Sequence, residues 1–164
     1  MTMEFQDIKS TIEGILFASG EPVPVTRLCQ VLAQDEAAVE GAIHALADEY
    51  AFQRRGMRIV QLGDRYQMCS APEYADPIRQ ALDLRKPPQL SPAALESLAI
   101  IAYFQPATKG VVEQIRGVDS GYTVNLLAER GLIQEAGRLN APGRPVLFRT
   151  TDRFLRCFGL KSLD

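Results

Sequence analysis

A chain of 164 residues with a formal net charge of −2, 46% hydrophobic and 23% charged residues has a globular composition. Its mild acidity excludes strong nonspecific attraction to nucleic acid or anionic membranes. Three cysteines without CxxC spacing and a single histidine, His44, argue against a zinc site and for reduced thiols. The amino terminus lacks the basic start and unbroken apolar run of a signal peptide, and no apolar stretch is long enough to span a bilayer, so a soluble cytoplasmic protein is expected.

Helical spacing opens the chain. Ile8, Ile12, Ile15 and Leu16 recur at helical intervals up to a turn at Ser19-Gly20-Glu21-Pro22. The period returns at Val25, Leu28, Cys29 and Leu32, and again at Val39, Ile43, Leu46 and Tyr50 behind an Asp35 cap. Strand pattern follows, Met57 to Leu62 and Tyr66 to Met68 around a tight turn at Gly63-Asp64. Pro72 then opens a last helix carrying Tyr74, Ile78 and Leu82. Leu84-Arg85-Lys86-Pro87-Pro88-Gln89 reads as a stiff connection.

The same order then repeats with different letters. Ser91-Pro92 caps and opens a helix running to Phe104, with Leu95, Leu98, Ala99 and Ala102 as its core-facing stripe. Gln105-Pro106 interrupts it. Thr108 caps a second helix with Val111, Val112 and Ile115, which stops at Gly117. Asp119 or Ser120 caps a third, running to Arg130 with Val124, Leu127 and Ala128 inward and Gly131 beyond its end. Leu132–Ala136 and Val146–Arg149 read as strands around a polar loop, Gly137 to Arg144. Helix, turn, helix and a hairpin define a winged helix, so the expected fold is mainly α with small β-hairpin wings (α+β), two winged-helix domains in tandem: 1–84, a linker at 85–90, and 91–164.

Such a fold reads DNA or bridges proteins. The third helical segment of the first unit, Asp35 to Tyr50, holds five acids and no lysine or arginine, a composition that a phosphate backbone repels. Its counterpart, Asp119 to Arg130, offers only Asn125, Glu129 and Arg130 to base edges. Arg138 and Arg144 in the second wing are the candidate DNA contacts, and a DNA-binding regulator is the alternative reading. No catalytic constellation emerges: His44 stands between Glu40 and Asp48 on one polar helix face, and no phosphate loop or nucleophile elbow is present. Cys29, on an apolar stripe, is a small core residue. Self-association is expected of the first unit, with Phe5, Phe17, Tyr50 and Phe52 as candidates for its interface. Partner binding is expected of the second, with Tyr103, Phe104, Phe154, Phe158 and Leu160 as apolar anchors. Of the adjacent pair Tyr103 and Phe104, one side chain is expected in the core and the other outside.

Particular strings carry a resemblance. Ile12-Glu13-Gly14-Ile15-Leu16-Phe17-Ala18-Ser19-Gly20-Glu21-Pro22, then Leu90-Ser91-Pro92-Ala93-Ala94-Leu95-Glu96 with Ala99-Ile100-Ile101-Ala102-Tyr103 and Gln105-Pro106, and Ile115-Arg116-Gly117-Val118 resemble the bacterial segregation and condensation protein B family. Glu129-Arg130-Gly131-Leu132-Ile133, Pro142-Gly143-Arg144-Pro145 and Phe158-Gly159-Leu160-Lys161-Ser162-Leu163 continue the similarity in order. The resemblance implies a non-enzymatic subunit of an SMC–kleisin complex in chromosome condensation and segregation. It implies a homodimer formed through the first domain and a kleisin that links the chain to an SMC ATPase. No cofactor, metal, membrane or specific DNA ligand is implied. Gly121-Tyr122-Thr123 departs from the family habit by a bulky aromatic, and the stretch after the tail motif is short.

Overall fold

The computed structural model describes residues 4–84 and 88–163. Two compact units divide the chain, 1–86 and 87–164. In the first, α1 (Phe5–Ser19) leads through a two-residue strand β1 (Val23–Pro24) into α2 (Val25–Leu32) and α3 (Glu36–Phe52). The hairpin of β2 (Met57–Leu62) and β3 (Arg65–Ser70) follows, then a 3₁₀ turn (Pro72–Tyr74) and α4 (Ala75–Ala81). The second unit repeats this with α5 (Pro92–Phe104), β4 (Ala107–Thr108), α6 (Lys109–Arg116), α7 (Gly121–Glu129), β5 (Ile133–Arg138), β6 (Val146–Thr150) and α8 (Asp152–Phe158). Both units are winged helices.

The two short strands are new. β1 pairs antiparallel with β3 and β4 with β6, so each wing is the rest of a three-stranded sheet, ordered β1-β3-β2 and β4-β6-β5. Period counting finds nothing in two residues; the available signal is the prolines. Pro24 and Pro106 lack the N–H that a continuing helix needs and turn the chain into extended form. The sheet then fixes the helices: the Val25 N–H, at the start of α2, bonds the Asp64 carbonyl in the β2–β3 turn at 2.9 Å.

Caps set the helix starts. Asp35, Ser91, Thr108 and Thr151 each accept the backbone N–H three residues on, opening α3, α5, α6 and α8. Gly137 lies inside β5 at φ 107°, where the register slips between Glu135 and Arg138. That irregularity carries the strand past the expected end at Ala136.

The first core follows the expected stripes: Ile8, Ile12, Leu16, Val25, Leu28, Val39 and Ile43 are all buried. Tyr50 closes it at 2% exposure, its hydroxyl donating to Glu13. It therefore lies inside the unit and not on the surface where an interface would need it. The expected last helix is corrected too. Pro72 opens a 3₁₀ turn, α4 starts at Ala75, and Tyr74 and Leu82 are exposed, because the core is already closed without them. Among the polar side chains, Lys9 is buried and paired with Glu49. Glu40, expected on a solvated face with His44, accepts a hydrogen bond from the buried Tyr66 hydroxyl at 3.1 Å.

Burial first and the Glu40 carboxylate second push the Tyr66 phenol up from 10.0 to about 12. The neutral phenol is thus favoured in the folded chain. This contribution to stability is complete below the unfolded value near 10.0 and is lost as pH rises through about 12. Phenolate absorbance is expected to show this late-titrating tyrosine in the folded chain. Glu40→Gln is expected to lower its titration without restoring the ordinary value, because burial, the larger cause, remains.

Candidate partner-binding groove

Helix α5 is apolar around most of its circumference. Ala94, Leu98 and Ile101 pack into the second core with Val112, Val124, Leu127 and Ile133. Of the stripe expected to face the core, Leu95, Leu98, Ala99 and Ala102, Leu98 is buried in it and Ala102 packs against it, but Leu95 and Ala99 do not belong to it. Leu95 is 45% exposed, Ala99 is exposed and Ala102 half-buried. The reason is that α5 offers two apolar faces, and i, i+3, i+4 spacing does not say which one the rest of the domain covers. Ile115 on α6 is 48% exposed.

The uncovered face of α5 forms one wall of a groove of about 430 Å³. The opposite wall comes from α8 and the tail. Thr151 caps α8 by accepting from the Phe154 N–H at 3.2 Å, while its own hydroxyl donates to the Gly131 carbonyl at 2.6 Å, tying the helix to the end of α7. Gly159, at φ 65°, ends α8 in a left-handed turn that glycine adopts without a Cβ penalty. The Leu160 N–H then bonds the Leu155 carbonyl at 2.9 Å, and Leu160, Ser162 and Leu163 run along the groove. Phe154 and Phe158 stand between the walls with ring centroids 4.9 Å apart. None of the ten lining residues carries an ionisable charge near neutral pH, so the groove suits apolar side chains.

The five expected anchors occupy different places. Tyr103, at 87% exposure, and Phe158 and Leu160 line the groove and are open to solvent. Phe154 is 5% exposed and belongs to the core, reaching the groove only as part of its floor. Phe104 is 58% exposed but lies outside the lining, so neither member of the Tyr103-Phe104 pair is in the core. Leu95, Ala99, Ala102 and Leu163 are lining residues that the sequence reading did not assign to a site. The two-sided apolarity of α5 was the signal for the first three.

The other candidates are scattered. Phe5, Phe17 and Phe52 are exposed at 53%, 71% and 91% on the first unit, where Tyr50 is buried. In the second wing the Arg138 guanidinium donates to the Arg144 carbonyl at 3.2 Å, which engages it within its own loop. Helix α7, in the position of a recognition helix, presents Tyr122, Asn125 and Glu129, while Arg130 donates to the Pro88 carbonyl at 2.7 Å. That surface is poor in the cations that phosphate contacts require.

A non-basic tandem winged helix with an apolar groove is a protein-binding scaffold in design. Its family model is that of the segregation and condensation complex subunit ScpB, which matches residues 10–164. A segregation and condensation protein B from Ruminiclostridium cellulolyticum is 46% identical over 161 residues, covering 98% of this chain and 85% of the relative. One from Clostridioides difficile is 41% identical over 164 residues, covering 99% and 92%. The crystal structure of ScpB from Mycobacterium tuberculosis is 30% identical with a TM-score of 0.49, covering 98% of this chain and 99% of that one. The chain belongs to the segregation and condensation complex subunit ScpB family.

Core and groove roles separate by experiment. Phe154→Ala removes a buried ring and is expected to cost about 3–5 kcal/mol. Tyr103→Ala removes an exposed one and is expected to change stability by no more than about 0.5 kcal/mol. Denaturant unfolding of the two variants checks both values.

Proposed function

We propose that the chain is a non-enzymatic, cytoplasmic subunit of a bacterial SMC–kleisin complex, acting in chromosome condensation and segregation by holding a kleisin segment in the groove between α5, α8 and the tail. Family membership supplies the class of complex. The groove supplies the mode of binding: an apolar trough flanked by a helix on each side takes an amphipathic segment by its apolar face. Tyr103 and Phe158, aromatic and exposed at its edge, have the chemistry of binding hot spots. Chemistry on ATP falls to the SMC partner in this reading. Self-association belongs to the first unit, where Phe5, Phe17 and Phe52 remain the exposed candidates and where acidic rims are screened beyond about 8 Å at physiological salt.

The experiment is calorimetric titration of the full chain with a central kleisin fragment. Tyr103→Ala is expected to weaken binding by about thirtyfold, or about 2 kcal/mol, with the melting temperature unchanged. Phe104→Ala, exposed but outside the lining, is expected to bind as wild type does. Equal affinity in all three proteins would place the kleisin elsewhere.

Sedimentation tests the self-association separately. A dimer is expected at micromolar concentration, and removal of the Phe17 and Phe52 rings together is expected to shift it toward monomer without unfolding either unit. A wild-type chain that sediments as a monomer throughout would refute the dimer.

A further inference from the structure

We propose that the first unit carries a second docking site, a guanidinium-lined cleft beside α3 and β2 that takes an acidic peptide segment. The cleft has a volume of about 540 Å³, and its lining includes Arg54, Arg55 and Arg58 against a single carboxylate, Glu73. Three guanidiniums stand together here in a unit whose helix α3 is rich in acids.

The chain is folded so as to gather them. Past the end of α3, Arg54 adopts φ 50°, an uncommon conformation for a residue with a Cβ, and its N–H bonds the Ala51 carbonyl while that of Arg55 bonds the Tyr50 carbonyl. This sharp turn brings both arginines beside Arg58 at the start of β2. The Tyr74 hydroxyl reaches the Arg54 carbonyl at 3.4 Å from across the cleft. Arg55 is already held: its Nε donates to Gln53 at 2.8 Å, Glu13 lies 3.8 Å from its Nη1, and it sits over the Tyr50 ring at 4.7 Å. It forms a fixed wall. Arg54 and Arg58 are exposed, and their guanidiniums are in no ion pair among the described residues. Attraction to the carboxyl end of α3 accounts for Arg54 and Arg55, which directly follow that helix, but not for Arg58.

Guanidinium forks match carboxylates in pairs, which gives the ligand's charge. Of the strands only the start of β2, Met57 and Arg58, lines the cleft; its other walls are the end of α3 and the segment from Ala71 to Tyr74. Met57 and Tyr74 add partly exposed apolar surface, which favours a peptide over a bare anion. Duplex DNA is the weaker match, because its long uniform charge would also lie against the acids of α3.

The test uses the full chain and a short labelled peptide of alternating glutamate and valine, with its glutamine counterpart as the uncharged probe. Fluorescence anisotropy is expected to show saturable binding of the acidic peptide and binding at least about tenfold weaker for the glutamine form. Arg54→Ala and Arg58→Ala are each expected to weaken the acidic peptide by about tenfold with unchanged melting temperatures, as both side chains are exposed. Arg138→Ala, on the other unit's wing, is expected to have no effect. Equal binding of the two peptides, wild-type affinity in both cleft variants, or an equal loss with Arg138→Ala would overturn the site. Displacement of the peptide by inorganic phosphate or a short duplex at lower concentration than by unlabelled peptide would overturn the assignment of a peptide ligand.

Discussion

Helix α5 has more apolar surface than one small domain covers, and the second unit is organised around that excess. Ala94, Leu98 and Ile101 anchor the core, while Leu95, Ala99, Ala102 and Tyr103 face the groove. A unit of roughly 80 residues has little interior, and burying both faces of one helix would take another layer of structure. α8 and the tail supply only part of one. They approach along the outer face and leave a trough between, so the groove is the remainder of an incomplete core. Apolar surface held open in this way is the mark of a surface meant for another molecule.

The wings serve the same end indirectly. In a DNA reader the hairpin and third helix carry cations to the phosphates. Here Arg138 is engaged by its own loop, Arg130 holds the Pro88 carbonyl, and the third helix of the first unit is acidic. The hairpins still do structural work through β1 and β4, which tie the first two helices of each unit to its sheet.

The fold was legible because its signals are local. Caps at Asp35, Ser91 and Thr108, glycines after α6 and α7, and stripes such as Ile8-Ile12-Leu16 each follow from a few neighbouring residues. What failed depends on distant ones. Tyr50 fits an interface or a core equally well by composition, and its burial is set by packing against other parts of the unit, including Glu13, 37 positions earlier in the chain. Leu95 and Ile101 are both apolar residues of α5, yet it is α6, α7 and the sheet, all later in the chain, that decide which one is covered. Two-residue strands are invisible to any period. The aromatic candidates were nominated by their excess, which is a count; the groove's alanines were not, because small residues reveal a cleft only once its walls are in place.

Those alanines separate two properties that most interiors bind together. Ala94 sits in the core, so enlarging it strains the domain. Ala99 faces the groove, so a larger side chain there would make the trough shallower and leave the core as it is. With the kleisin seated as proposed, recognition is open to change at such a position, which is nearly free of folding constraint. A lineage can reshape its groove in step with its own partner by single substitutions, none of which needs a compensating change inside the domain, and subunits from diverged lineages would then become mutually incompatible while remaining equally well folded.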